Sequence, residues 1–203
     1  MPPRRRPGQR LFDVIVALPA LLLLSPLLLA VAAWIRIDSP GPVFFRQERV
    51  GQGGRLFRIH KFRTMVDDAA RPGLPLTVGD DARITRAGVW LRQRRLDELP
   101  QFIDVLRGDM SVVGPRPEVP RYVAHYPPAL RDTVLALRPG ITDPSSLAYI
   151  DEASLLAAAA DPEREYVDVI LPRKLRIAAD YAARATVWTD VKVLAATAAR
   201  LLR

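Results

Sequence analysis

The chain has 203 residues, with 30 Lys and Arg against 22 Asp and Glu, and a formal net charge of +8. This length holds one domain with an appendage, and the positive surplus favours anionic partners such as nucleic acid, acidic membrane surfaces or phosphorylated substrates. There are no cysteines and only two histidines, which excludes disulfides, thiolate nucleophiles, Cys-ligated zinc and a His-rich metal site.

The first element is an apolar run of 25 residues, LFDVIVALPALLLLSPLLLAVAAWI, which follows a basic start. It is long enough to span a bilayer. A secretory signal peptide fits the basic start, but the run is too long and contains Pro19 and Pro26. A spanning helix fits the length. However, Arg36, Arg46 and Arg49 follow closely, so both flanks are basic and the positive-inside rule gives no direction for crossing.

The basic flanks favour a third interpretation, a re-entrant helix that dips into one leaflet and returns. Pro26 lies near the middle of the run and removes a backbone hydrogen bond, so the helix can bend at Ser25-Pro26. The hydroxyl of Ser25 can bind a carbonyl freed at this break, and Asp13 is expected among the lipid head groups. We therefore predict a membrane element in residues 1–38 and a cytoplasmic globular domain in residues 39–203, with a spanning helix as the open alternative.

A small β-hairpin is predicted next. Two short strands, within PVFFRQERV and RLFRIHKF, flank the turn GQGG at 51–54. No Lys-Ser/Thr pair follows these glycines, so the hairpin is favoured over a phosphate-binding P-loop. Residues 66–82 are polar and rich in turn formers, which predicts a mobile loop near the site. In the helix predicted after this loop, Val89, Trp90 and Leu96 are expected to face a core.

The stretch RRLDELPQ, residues 94–101, places two adjacent carboxylates after two arginines. An amphipathic helix is predicted to follow and to end at Gly108. Its apolar face consists of Leu99, Phe102, Ile103 and Leu106.

Two roles remain open for Asp97. It stands where a helix N-cap is expected, with Glu98 in the first turn. A helix N-terminus also attracts phosphate, and the neighbouring arginines keep a carboxylate ionised. An ionised aspartate beside a phosphoryl group can attack it or bind its Mg²⁺. The pattern therefore allows a cap, a reactive carboxylate, or both.

The segment GPRP, residues 114–117, predicts a rigid loop. Pro115 and Pro117 flank Arg116, whose guanidinium suits contact with a phosphate or a base. Further helices are predicted in ASLLAAAAD and from Pro172 onward. The last helix, with Trp188, is basic and amphipathic, which suits a membrane interface or a core equally. Its predicted apolar face consists of Val187, Val191, Leu194, Ala198 and Leu201. Together these elements predict a mostly helical α+β fold.

These motifs resemble those of the bacterial sugar transferases, the monotopic phosphoglycosyl transferases. The resemblance covers most of the chain from about residue 10 and includes Ser25-Pro26, a match to the family's re-entrant helix. It is carried by KFRTM (61–65), DDARITRAGVWLRQRRLDELPQFIDVLRGDMSVVGPRPE (80–118) and RPGIT (138–142). The chain resembles the small members, which lack extra membrane helices.

The resemblance implies transfer of a sugar 1-phosphate from a UDP-sugar to polyprenyl (undecaprenyl) phosphate, with Mg²⁺ as cofactor and release of UMP. Asp97 would be the nucleophile that forms a phosphosugar-aspartyl intermediate, and Glu98 would complete the dyad; both would bind the metal. Arg92 would contact phosphate, and Lys61 would be a substrate-binding cation near the same site. Arg116, within Pro115-Arg116-Pro117, would bind near the nucleotide.

The resemblance also implies the place of the protein in the cell. It would sit monotopically among the lipids of the bacterial inner membrane, on the cytoplasmic face, and start glycan assembly. The sugar, the pathway and the oligomeric state, a homodimer included, stay open. The chain departs from the family at two places. Asp104 replaces a frequent Asn, which adds a charge about one turn beyond the site, and DPSSLAYIDE follows RPGIT in a loop that is expected to shape the sugar side of the site.

Three other function classes compete with this interpretation. The main alternative is a non-catalytic, membrane-anchored module that binds anions, in which Asp97 only caps a helix. A nucleic-acid binder has the charge but lacks basic residues interleaved with aromatics. A two-metal phosphohydrolase needs more carboxylates than Asp97 and Glu98, and only Asp80, Asp81 or Asp109 could supply them.

Overall fold

The computed structural model describes residues 6–66 and 81–201. Most of the polar segment at 66–82, which the sequence predicts to be a mobile loop, lies outside the described residues. The predicted mostly helical α+β class is confirmed, with small two-stranded sheets and one long apolar N-terminal helix.

That helix, α1, runs from Gln9–Asp38 and contains both prolines of the apolar run. It is long and apolar enough to cross a membrane. Pro26 has no N–H for the carbonyl four residues earlier, which belongs to Leu22. The hydroxyl of Ser25 donates to that carbonyl oxygen at 2.8 Å, as the sequence predicts. The carbonyl oxygen left without its backbone partner at Pro26 thus gains a hydrogen bond from within the helix.

The N-terminal end of α1 is fixed to the globular part of the chain by a buried carboxylate. Asp13 is fully buried, and its Oδ1 accepts hydrogen bonds from the hydroxyl of Ser111 at 2.7 Å and from the backbone N–H of Val112 at 2.9 Å. The expected position of Asp13 among lipid head groups is therefore wrong: protein encloses it. A buried carboxylate needs such hydrogen bonds, and the protein interior supplies them here.

The C-terminal end of α1 is fixed to the same body. Asp38 accepts the backbone N–H of Ala87 at 2.9 Å, and Arg63 donates to the carbonyl oxygen of Ser39 at 2.8 Å. Between these ends the helix has no buried residue from 18 to 30, and Leu23 is 80% exposed. Both ends of α1 therefore contact the globular part, while its apolar middle is mostly exposed.

The predicted hairpin is confirmed. Strands β2 (Glu48–Val50) and β3 (Leu56–Arg58) pair antiparallel across the glycine turn, in which Gly53 has a φ of 67°. The outer strands β1 (Phe44–Phe45) and β4 (Lys61–Phe62) extend this antiparallel arrangement. The hairpin brings Lys61 toward the helices that follow.

Helix α2 (Arg86–Gln93) packs closely on the chain beyond β4. Gly88 allows this approach, because a Cβ there would lie 2.0 Å from the carbonyl oxygen of Thr64. The prediction that Val89 faces the core is wrong: it is 45% exposed, and Leu91 is buried instead. The contact at Gly88 sets the rotation of the helix and turns Val89 outward.

Helix α3 (Gln101–Arg107) ends at Gly108, which has a φ of 86°, as predicted. Its most buried side chains are Gln101, Asp104 and Val105, while the predicted apolar face is only half-buried. The reason is that α3 packs against α1 and β5, and the buried Asp104 binds His60.

The rest of the chain forms a helical layer around one short parallel sheet. Strand β5 (Ser111–Val113) pairs in parallel with β6 (Gly140–Thr142). The helices are α4 (Pro120–Val123), α5 (Pro128–Leu135), α6 (Pro144–Ala148), α7 (Glu152–Ala157), α8 (Pro162–Glu165), α9 (Leu171–Arg184) and α10 (Val187–Leu201). The helix expected from Pro172 begins earlier, because a π-helical turn, Tyr166–Ile170, joins α8 to α9.

The face that α10 turns inward differs from the predicted one. Asp190 is buried, and Val193, Leu194 and Thr197 are half-buried, whereas Val191 is exposed. Asp190 faces inward because two side chains bind its carboxylate. The hydroxyl of Tyr181 donates to Oδ1 at 2.5 Å, and the guanidinium of Arg6 donates to Oδ2 at 2.6 Å.

The close contact at Gly88 is testable. We expect Gly88→Ala to destabilise the protein by about 3 kcal/mol, since the added methyl group must displace backbone. Thermal unfolding of the detergent-solubilised protein measures this. Gly54→Ala is the control: it has a φ of 83° but open space around it, so only about 1 kcal/mol of backbone strain is expected. Equal losses in the two variants would contradict the packing of α2 on Thr64.

Candidate active site

The two adjacent carboxylates lie in one 3₁₀ turn, Leu96–Glu98, between α2 and α3. The prediction that Asp97 is the N-cap of the following helix is wrong. Helix α3 begins at Gln101, its cap position is Pro100, and no side chain caps it. Asp97 is nevertheless buried, with 4% exposure, so its charge needs another partner.

That partner is Lys61 of β4. Its Nζ lies 2.8 Å from Oδ2 of Asp97. The backbone turns sharply at Arg95, just before the 3₁₀ turn that contains Asp97. Arg95 has a left-handed φ of 54°, which is uncommon for a residue with a side chain. The guanidinium of Arg95 donates to the carbonyl oxygen of Ile150 at 2.9 Å, which fixes this turn to the segment before α7.

Glu98 forms a two-point ion pair with Arg116. The two guanidinium nitrogens of Arg116 donate to the two carboxylate oxygens of Glu98, at 2.5 and 3.2 Å, and Nζ of Lys61 lies 3.5 Å from one of them. Burial opposes the charge of Glu98, but Arg116 and Lys61 outweigh it, so the pKa of Glu98 lies well below its usual range. Glu98 is therefore a carboxylate at neutral pH.

Arg92 lies along the same side of the site. Its Nε donates to the hydroxyl of Thr64 at 2.9 Å. Burial lowers the pKa of Arg92, and the nearby charge of Asp97 acts in the opposite direction. The cations predicted from sequence at 61, 92 and 116 thus converge on the Asp97-Glu98 pair.

The two prolines of the GPRP loop hold Arg116 without lining the cleft. The carbonyl oxygen of Pro115 accepts the N–H of Gly140 at 3.0 Å, and that of Pro117 accepts a guanidinium N–H of Arg49, also at 3.0 Å. The loop is thus tied on both sides of Arg116. A direct contact of either proline with substrate stays a prediction.

Asp104 explains how the strand with Lys61 is joined to α3. Its two oxygens bind the backbone N–H of His60 at 2.7 Å and the ring Nδ1 of His60 at 2.6 Å. The other ring nitrogen lies 2.7 Å from the guanidinium of Arg46. Because a guanidinium can only donate, Nε2 accepts and Nδ1–H donates to Asp104. The carboxylate of Asp104, which stands where the family often has Asn, is therefore buried and fixes His60, the residue before Lys61.

The ion-paired dyad lies in the wall of a cleft of about 780 Å³. Among the described residues, seven cationic and four acidic side chains line it, so the cleft is suited to anions. The cationic ones are Lys61, Arg92, Arg94, Arg95, Arg116, Lys174 and Arg200, and the acidic ones are Asp97, Glu98, Asp151 and Glu152.

Sequence reasoning missed the far wall of this cleft. Lys174 of α9 lies there with its Nζ 2.7 Å from Glu152, and Tyr149 lies beside them. Lys174 is buried, with 7% exposure, which is uncommon for lysine. No local motif marks these residues, because tertiary packing alone brings α9 to Glu98.

The donor set fits Mg²⁺. Magnesium in phosphoryl-transfer sites is held by one or two carboxylates together with substrate phosphates and water. Asp97 and Glu98 supply two carboxylates at a cleft that accepts anions. Within residues 6–66 and 81–201 there is no group of three or more metal-binding side chains, so a site made of protein ligands alone is not formed there.

The other acids considered from sequence do not join the dyad. Asp109 lies 3.8 Å from Arg55, and Asp81 binds Arg83 with its closest oxygen at 2.6 Å. Asp80 lies outside the described residues. Neither Asp81 nor Asp109 lines the cleft, so a carboxylate-rich two-metal site gains no support.

The chain belongs to the bacterial sugar transferase family, whose model matches residues 4–203. It is 38% identical over 199 residues to the UDP-glucose:undecaprenyl-phosphate glucose-1-phosphate transferase of Xanthomonas campestris pv. campestris, which covers 96% of this chain and 39% of that protein. It is 36% identical over 207 residues to a protein of the same name from Caulobacter vibrioides, with 96% and 69% covered.

A third relative has a different sugar in its name. The chain is 48% identical over 118 residues to the UDP-N-acetylgalactosamine-undecaprenyl-phosphate N-acetylgalactosaminephosphotransferase of Aeromonas hydrophila, covering 58% of this chain and 28% of that protein. The chain thus spans less than half of the length of two of these three relatives.

The Glu98–Arg116 pair gives a pH-dependent prediction. A carboxylate with a depressed pKa stabilises the fold above its unfolded pKa, near 4.5, and this stabilisation is lost as the pH falls toward the folded pKa. Arg116→Ala leaves Glu98 buried without its main partner, so its pKa rises. We expect a loss of about 3 kcal/mol at pH 7 that shrinks as the pH is lowered through 5.

Thermal unfolding between pH 3 and pH 7 measures this difference. Glu98→Gln is the control background, in which adding Arg116→Ala should give a loss that no longer changes with pH. A difference between wild type and Arg116→Ala that stays constant from pH 7 to pH 3 would contradict the ion pair.

Proposed function

We propose that this protein transfers a sugar 1-phosphate from a UDP-sugar to polyprenyl phosphate, with Asp97 as the nucleophile. The observation that carries the proposal is the buried Asp97 carboxylate, paired with Lys61 at 2.8 Å in the wall of a cationic cleft. The names of the relatives, which specify UDP-sugars and undecaprenyl phosphate, supply the substrate class.

In the first half-reaction, an oxygen of Asp97 attacks the phosphorus that bears the sugar. A bond from that oxygen to phosphorus forms, the bond to the bridging oxygen breaks, and UMP leaves with that oxygen. Lys61 orients Asp97, because its ammonium contacts Oδ2. Arg92 and the other cations of the cleft offset the negative charge of the diphosphate.

In the second half-reaction, a phosphate oxygen of the lipid attacks the same phosphorus. The bond to Asp97 breaks and the carboxylate is regenerated, leaving a sugar joined to the lipid through a diphosphate. Mg²⁺, held by Asp97 and Glu98, would supply charge neutralisation to the phosphates when bound. Glu98 is held by Arg116 within reach of Lys61, so it can orient this cation.

The membrane element fits a monotopic position on the cytoplasmic face of the inner membrane. About 33 Å of helix separates Asp13 from Ile35, close to the thickness of a bilayer core. Yet residues at both ends of α1 bind the same globular body. A body on one side of a bilayer cannot hold both ends of a crossing helix, which supports a re-entrant path for the exposed apolar middle.

Asp97→Asn is the first test of this function. An amide cannot form the acyl phosphate, so we expect UMP release from UDP-glucose or UDP-N-acetylgalactosamine to fall by about 10³-fold or more. Chelation of Mg²⁺ should also abolish release in the wild type, and added Mg²⁺ should restore it. Mass spectrometry of the wild type with donor and no lipid should detect a phosphosugar adduct on Asp97.

Asp109→Asn is the matched control, since Asp109 pairs only loosely with Arg55 and lies outside the cleft. It should keep wild-type activity. An Asp97→Asn variant that retains UMP release would sink the nucleophile assignment. Failure of the wild type to release UMP from any donor would instead favour the anion-binding module.

The topology can be tested with single cysteines, because the chain contains none. Pro7→Cys and Pro42→Cys place thiols at exposed positions beyond the two ends of α1. A re-entrant helix predicts that a membrane-impermeant maleimide labels both sites in inverted vesicles and neither in intact spheroplasts. Labelling of one site from each side would show a spanning helix.

A further inference from the structure

A second, apolar cavity of about 180 Å³ adjoins the cationic cleft. Both spaces share a boundary formed by Arg95, Glu98, Arg116, Ser146, Ile150 and Arg200. Beyond this boundary the walls are mainly apolar, from Leu99, Phe102, Val112, Ile141, Leu147 and Leu194. The cavity therefore joins a cationic mouth to an apolar interior.

The cavity lies among the elements that bear the exposed apolar surface of the protein. Leu194 belongs to α10, on which Trp188 is 66% exposed. Phe102 packs in the same cluster as Phe12 and Val16 of α1. An apolar chain leaving the membrane beside α1 and α10 can thus reach the cleft through apolar surroundings.

Among the described residues beyond this boundary, the hydroxyl groups of the wall have no hydrogen left to donate to a ligand. Thr197 donates to the carbonyl oxygen of Val193 at 2.9 Å, and the hydroxyls of Thr142 and Thr197 lie 2.8 Å apart. Since the hydrogen of Thr197 is already used, Thr142 must donate to Thr197. A nucleobase, whose carbonyl oxygens need donors, is a poor fit here, whereas a hydrocarbon needs none.

The boundary itself offers a site for an anion. Arg95, Arg116 and Arg200 lie there, and the buried hydroxyl of Ser146 has no hydrogen-bonding partner among the described residues. A phosphate group at this position would satisfy that hydroxyl and lie next to Glu98. An amphiphile with its phosphate at the boundary and its hydrocarbon in the cavity matches both the cationic mouth and the apolar interior.

We infer that this cavity binds the first isoprene units of the polyprenyl phosphate acceptor, with its phosphate at the boundary. A cavity of about 150 Å³ lined by Leu, Ile and Phe can hold six-carbon benzene, so the space here suits one or two five-carbon units. The inference rests on the proposed function for the identity of the lipid. It explains how a substrate anchored in the bilayer presents its phosphate to the dyad.

Filling the cavity tests the inference by direct binding. Calorimetry would measure geranyl phosphate, which has two isoprene units, against Leu147→Trp and, on another element, Ile141→Phe. We expect the Kd to rise by about tenfold or more in both variants, because the apolar units lose their contacts. Binding of inorganic phosphate should be unchanged. The control is Leu155→Trp, which adds the same ring at an exposed position of α7 outside both spaces.

Kinetics then separate this inference from the proposed function. UMP release without lipid, which reports the first half-reaction, should match wild type in Leu147→Trp and also shows that the variant is folded. The KM for undecaprenyl phosphate should rise, while that for the UDP-sugar stays constant. An unchanged Kd for geranyl phosphate in both variants, or a rise only in the KM for the UDP-sugar, would overturn the inference. Absence of UMP release from the wild type would count against the proposed function alone, since geranyl phosphate binding is read independently.

Discussion

The burial of two adjacent carboxylates is the constraint that organises this protein. Neither Asp97 nor Glu98 can lose its water unless a cation replaces it, since an unpaired buried charge is costly. The compensating cations come from β4 and from the GPRP loop, which are far apart in the chain. Pairing the dyad therefore requires the hairpin, α3 and the loop to be assembled together.

The supports behind these cations follow from the same constraint. Lys61 is useful only if its strand is fixed, and Asp104 does this by binding the backbone and the ring of His60. Arg116 needs a rigid loop, which Arg49 and Gly140 hold through the carbonyls of the two prolines. Several buried polar contacts at a distance from the cleft thus keep the Lys61–Asp97 and Arg116–Glu98 ion pairs in position.

The sequence predicts those structural features that are determined by residues close together in the chain. The glycine turn of the hairpin, the end of α3 at Gly108 and the hydrogen bond from Ser25 to Leu22 all depend on residues a few positions apart. The position of Asp97 could not be predicted, because a cap is a local pattern whereas its partner, Lys61, lies in an earlier element. The same holds for Asp13, whose partners on β5 belong to another part of the chain. The candidate active-site residues follow from a sequence motif, and their arrangement in space does not.

The fold also arranges polarity along one direction, and this arrangement suits a reaction between substrates of unlike solubility. The exposed middle of α1 is apolar, α10 exposes Trp188 and Val191, the cavity at Leu194 is lined mainly by apolar side chains, and the cleft beyond it is cationic. Under the proposed function, a nucleotide sugar would meet only the cationic part, whereas a lipid phosphate would extend through all three. In the proposed mechanism one carboxylate holds the phosphosugar between the two half-reactions, so the donor and the acceptor need not occupy the cleft together. A single small site is then sufficient for chemistry at a membrane surface.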